Sequence, residues 1–61
     1  MRQIEIRSGN GKFALIVDGQ YKDIPSEAEL LAELVELDIT KNYAEYSIRR
    51  LKETQNPVKI G

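Results

Sequence analysis

The sequence predicts an α+β fold: a three-stranded antiparallel β-meander followed by two α-helices packed on one face of the sheet. Three observations predict it. Residues 3–24 hold short runs of alternating or nearly continuous apolar residues, as strands do. Asp18-Gly19, set between two such runs, is a two-residue hairpin turn. After Pro25, Ser26-Glu27-Ala28-Glu29 forms a capping box that opens an amphipathic stretch.

Gln3-Ile4-Glu5-Ile6-Arg7 alternates apolar and polar residues, the pattern of a half-buried strand. Ser8-Gly9-Asn10-Gly11 is a turn cluster, and Lys12 to Val17 is apolar enough for the central strand of three. Gln20 to Ile24 is a short edge strand. A two-residue Asp18-Gly19 loop sets Ile16 opposite Tyr21 and Phe13 opposite Ile24. A four-residue first loop, Ser8 to Gly11, sets Ile6 opposite Phe13 and Ile4 opposite Leu15. One face then carries Ile4, Ile6, Phe13, Leu15, Val17 and Ile24, and the other carries Ala14, Ile16 and Tyr21 among Glu5, Arg7 and Asp23.

The first helix runs from Glu27 to about Leu37. Leu30, Leu31, Leu34, Val35 and Leu37 form its apolar stripe, and Glu29, Glu33 and Glu36 lie on the opposite side. Asp38-Ile39-Thr40 interrupts the pattern, with Thr40 as N-cap of a second helix from Lys41 to about Thr54. Ala44, Ile48 and Leu51 mark its buried side. Asn56-Pro57 ends it. Residues 55–61 are a tail or, over Val58 to Gly61, a short fourth strand of a single domain spanning residues 1–61.

Composition narrows the function. The 61 residues include no Cys and no His, so disulfides and the usual zinc, haem and iron–sulfur ligands are excluded. A base titrating near neutrality would need a strongly perturbed Glu, Asp, Lys or Tyr, and so small a core offers little burial to perturb one. The expectation is a protein that is not an enzyme and needs no cofactor or metal. No apolar run approaches the roughly 20 residues of a membrane span, and no signal-peptide core is present, so the expected compartment is the cytoplasm. Ser8-Gly9-Asn10-Gly11-Lys12 has the look of a phosphate loop, but a strand follows it where a P-loop needs a helix.

The net charge of −1 hides a segregation. Residues 18–38 carry seven acids (Asp18, Asp23, Glu27, Glu29, Glu33, Glu36, Asp38) against Lys22 alone. Residues 39–61 carry Lys41, Arg49, Arg50, Lys52 and Lys59 against Glu45 and Glu53. At about 100° per residue, Tyr43, Tyr46 and Arg50 share the face of the second helix opposite its buried side, with Arg49 at the rim. Exposed Tyr beside Arg is hot-spot composition for a protein interface, and it also suits stacking on bases and pairing with phosphates. The plainer alternative lays one Tyr over the sheet edge and pairs an Arg with Glu45 or Glu53. Ile16 and Tyr21 form a second apolar pair, on the open sheet face, that suits a partner or another copy of the chain.

Thr40 as cap, with Ala44, Ile48 and Leu51 as the buried row, resembles the recognition helix of winged-helix DNA-binding proteins. Leu31, Leu34, Leu37 and Ile39 would sit in the preceding helix and turn, and Pro57-Val58-Lys59-Ile60 would take the place of the wing. The resemblance implies that Lys41, Asn42, Tyr43, Tyr46 and Arg49 face the major groove. The chain departs from that pattern with Leu34 where the family has a small residue and Asp38 where Gly is common. It also lacks the basic balance of a dedicated DNA-binding domain.

The leading expectation is therefore a small non-enzymatic regulator, of inhibitor or modulator type, that occludes the surface of a protein partner through Tyr43, Tyr46, Arg49 and Arg50. Inhibitors carried by phages and mobile elements have this kind of size and composition. The alternative is a nucleic-acid-binding module, a winged-helix-like transcriptional regulator that uses the second helix.

Overall fold

The computed structural model describes residues 2–60. Six elements follow one another: β1 (Ile4–Gly9), β2 (Lys12–Val17), β3 (Gln20–Ile24), α1 (Glu27–Glu36), α2 (Lys41–Thr54) and β4 (Val58–Ile60). The strands form one antiparallel sheet in the order β3-β2-β1-β4. The expected α+β meander with two helices on it is thus present. Of the two readings of residues 55–61, the short fourth strand is the one observed; Gly61 lies outside the described residues.

Both hairpins turn on two residues with positive φ: Asn10 (53°) with Gly11 (75°), and Asp18 (50°) with Gly19 (85°). Two consecutive positive φ values give the type I′ turn, whose twist matches that of the strands. The first loop is therefore two residues long, not four. β1 runs on to Gly9, and the pairs are Ile6 with Leu15 and Ile4 with Val17. This corrects the expected pairing by two positions. A slip of two keeps every side chain on its own face, so the expected core face survives. The second hairpin has the expected register, Ile16 with Tyr21 and Phe13 with Ile24. Its turn also holds the start of β1, because the Gln3 N–H donates to the Asp18 carboxylate at 2.8 Å and the Asp18 N–H donates to the Gln3 carbonyl at 2.8 Å.

The core lies between the sheet and the helices. Ile4, Ile6, Leu15, Ile24 and Ile60 from the sheet meet Leu30 and Leu34 of α1 and Ala44, Ile48 and Leu51 of α2. Phe13, Val17, Leu31 and Leu37 pack around that cluster. Val35, expected in the buried stripe of α1, is 45% exposed.

Each helix start is capped as its sequence requires. Ser26 Oγ accepts from the Glu29 N–H, and Thr40 Oγ1 accepts from the Tyr43 N–H. α1 ends in a Schellman motif with Asp38 in the left-handed region, φ 67°; its N–H donates to the Val35 carbonyl and the Ile39 N–H to the Leu34 carbonyl. The Arg2 guanidinium donates to the Leu37 carbonyl at 3.0 Å, setting a cation at the negative end of α1. α2 ends on Gln55, also left-handed, at φ 57°.

Candidate functional site

The loop between the helices is short, and Glu27 at the start of α1 pairs with Lys52 near the end of α2 at 2.9 Å. The two helices are thus an antiparallel hairpin lying on one sheet face. α2 presents Ala44, Ser47, Ile48 and Leu51 inward, which forces its larger side chains outward. Tyr43 and Tyr46 are each 49% exposed. Their rings meet edge to face, with centroids 6.4 Å apart and an interplanar angle of 61°. The Arg49 guanidinium lies 5.9 Å from the centre of the Tyr46 ring, a cation–π distance.

Tyr43, Tyr46 and Arg49 are therefore a contiguous row with a spacing of three residues. Arg49, placed at the rim by the helical wheel, belongs to this row, and Arg50 is exposed at the next position of the helix. Among the described residues neither arginine pairs with a carboxylate, although Glu45 and Glu53 are within helical reach. The other two arginines do pair, Arg2 with Asp38 and Arg7 with Glu5. The α2 row consequently offers two aromatic faces and two guanidinium groups to whatever approaches it.

Comparison with family models, with curated proteins and with solved structures finds no match for this chain. The site rests on its own geometry.

Beside the row, a groove of about 630 Å³ runs between the helices. Ala28 and Leu31 of α1 and Ile48 of α2 give it apolar lining, while Glu27, Glu45, Arg49, Lys52 and Glu53 carry its charge. Arg49 is shared between groove and row. On α1, Lys22 of β3 reaches Glu33 at 2.7 Å; that hydrogen bond and the carboxylate charge, with Glu36 and Glu29 nearby, hold the Lys22 ammonium above the ordinary lysine range.

The second expected patch lies on the opposite face of the sheet. Tyr21, Ile16, Glu5 and Lys59 form one cross-strand row over all four strands. Tyr21 is 64% exposed and Ile16 half-buried. The two expected surfaces are thus separate, with the sheet between them. Val58–Ile60, assigned to a wing by the winged-helix resemblance, is a paired strand of the sheet beside β1. No group of three or more His, Cys, Asp or Glu among the described residues is placed to hold a metal ion, and no helix of theirs is long and apolar enough to cross a membrane.

One inward residue escaped the sequence reading. Ser47 is 1% exposed, and among the described residues its hydroxyl has no hydrogen-bond partner. On the helical wheel it falls next to Leu51 and Ala44, so position alone marks it as buried while its polarity argues against that.

Proposed function

We propose that this protein is a non-catalytic regulator that binds a protein partner through the outer face of α2 and occludes part of its surface. The observation that carries this reading is the row Tyr43–Tyr46–Arg49, in contact in the free chain, with Arg50 exposed at the next position and, among the described residues, no carboxylate on either guanidinium. Rings already held against one another, and an Arg resting on one of them, lose less side-chain freedom on binding than isolated long side chains do. Tyr and Arg are also the residues that dominate protein interfaces energetically. The groove at the side of Arg49 supplies an apolar recess next to the polar row.

A pull-down on the immobilised domain, with and without nuclease, tests this against a Tyr46→Ala/Arg49→Ala variant shown to be folded by circular dichroism. The expected outcome is a discrete protein retained after nuclease and reduced at least about tenfold by the variant, as the loss of two hot-spot side chains implies. Recovery of nucleic acid alone, lost at moderate salt, would transfer the role of α2 to phosphate binding. Undiminished capture by the variant would remove α2 from the contact.

A further inference from the structure

The outer surface of the helical layer is complementary to itself. Of the four large apolar side chains exposed among the described residues, three lie there: Val35 on α1, and Tyr43 and Tyr46 on α2. The charge is divided between the same two helices. α1 carries four glutamates and no base, whereas α2 carries Lys41, Arg49, Arg50 and Lys52 against two glutamates. We infer that a second copy of this chain docks on this layer about a two-fold axis along the helix hairpin, each α1 lying over the α2 of the other copy.

Rotation about that axis exchanges the two helices and keeps each residue at its own height along the hairpin. The Glu27–Lys52 ion pair fixes those heights. Glu29 is two residues further along α1 and Arg50 two residues back along α2, so they stand level. Glu29 of one copy therefore faces Arg50 of the other, and the contact occurs twice. Neither residue has an ion pair within the chain among the described residues. The flanks agree as well. Glu29 lies on the side of α1 where Lys22 feels its charge, away from α2, and by helical geometry Arg50 lies on the side of α2 away from Lys52 and α1.

Size sets the strength. The molecule measures 29 × 24 × 18 Å, so one broad face spans only about 700 Å² in projection, which places the contact at the small end of specific interfaces. The result is a weak, concentration-dependent dimer. The open sheet face is the poorer candidate, since its exposed apolar surface is mainly Tyr21 and its Glu5 is already paired with Arg7. This inference does not depend on an outside partner, but a second copy would cover Tyr46 and Arg49, so self-association and partner binding would compete.

Sedimentation velocity from about 5 μM to about 1 mM, at low and high salt, reads the dimer directly. Glu29→Arg alone and Arg50→Glu alone each oppose like charges twice and are expected to weaken the dimer at least about tenfold. An equal mixture of the two variants restores both opposite-charge contacts, so heterodimer formation should return to within about threefold of wild type. A folding defect in either variant cannot produce that rescue. A single-copy mass for wild type at every concentration would overturn the inference, as would a dimer untouched by both swaps or a mixture no better than its components. So would a dimer lost in Tyr21→Asp but kept in the helix variants, which would place self-association on the sheet. Because none of these outcomes involves an outside partner, they leave the pull-down to decide the role of α2 on its own.

Discussion

The two helices share one face of the sheet and one core, but they present unlike outer surfaces. α1 turns its largest side chains inward: Leu30 and Leu34 are fully buried, and its outward positions carry glutamate, alanine and Val35. α2 also buries large residues and differs in what it turns outward. Its inward row is Ala44, Ser47, Ile48 and Leu51, while Tyr43, Tyr46, Arg49 and Arg50 stand in solvent. Its large outward residues contribute little to the packing against the sheet. Both helices therefore supply core volume, and α2 alone adds an outer face of aromatic and guanidinium groups whose chemistry can change at little cost to the fold.

That contrast is broken most decisively by truncating one large residue on each helix. Leu34→Ala, at a fully buried position, is expected to cost about 3 kcal/mol, much of what so small a domain has available. Tyr46→Ala, half exposed, is expected to cost under about 1 kcal/mol. Urea denaturation of the two variants measures the gap, and equal losses would erase the distinction drawn between the helices.

The inward row of α2 gives a smaller effect of opposite sign. Removing the unpartnered hydroxyl by Ser47→Ala is expected to stabilise the domain by about 1 kcal/mol and to raise the melting temperature by roughly 5 °C. A drop in melting temperature would mean that the hydroxyl is satisfied in solution.

The smallest effect belongs to the polar side of α1. The Glu33 carboxylate raises the Lys22 pKa above its ordinary 10.5, so the folded state holds that proton more tightly than the unfolded chain does. The pair's contribution is complete below the ordinary lysine value and is lost as pH rises through the raised one. Denaturation midpoints of wild type should therefore decline slightly more than those of Lys22→Met on going to alkaline pH. Identical profiles would show that the pair adds nothing, as holds for many exposed pairs.

Much of this arrangement was legible in the sequence, and the exceptions have physical causes. Alternation fixed the two faces of the sheet but not the first register, because Gly9 and Gly11 both punctuate the chain and only the positive φ of Asn10 and Gly11 selects between the loop lengths. Val35 belongs to the helical period of α1, yet α2 and the sheet together cover Leu30, Leu34 and part of Leu31 without reaching it. Periodicity gives the direction of a side chain, not the extent of what lies opposite. β4 is three residues long, too short to show a period, and its pairing depends on the open edge of β1. On α2 the aromatic face was apparent from spacing, but Arg49 and Arg50 are neighbours in sequence, and only the position of the Tyr46 ring shows which of them it holds.

The strand order has a consequence in time. β1 is an interior strand whose two neighbours come from opposite ends of the described chain, β2 immediately after it and β4 after both helices. The β2–β1 hairpin closes a short loop and forms early; the β1–β4 ladder closes the longest loop in the molecule and forms late. Until it does, the outer side of β1, with Ile4 and Ile6 already committed to the core, is an uncapped sheet edge open to pairing with another nascent chain. The three residues of β4, which follow both helices, thus set how long the outer edge of β1 stays uncapped during folding.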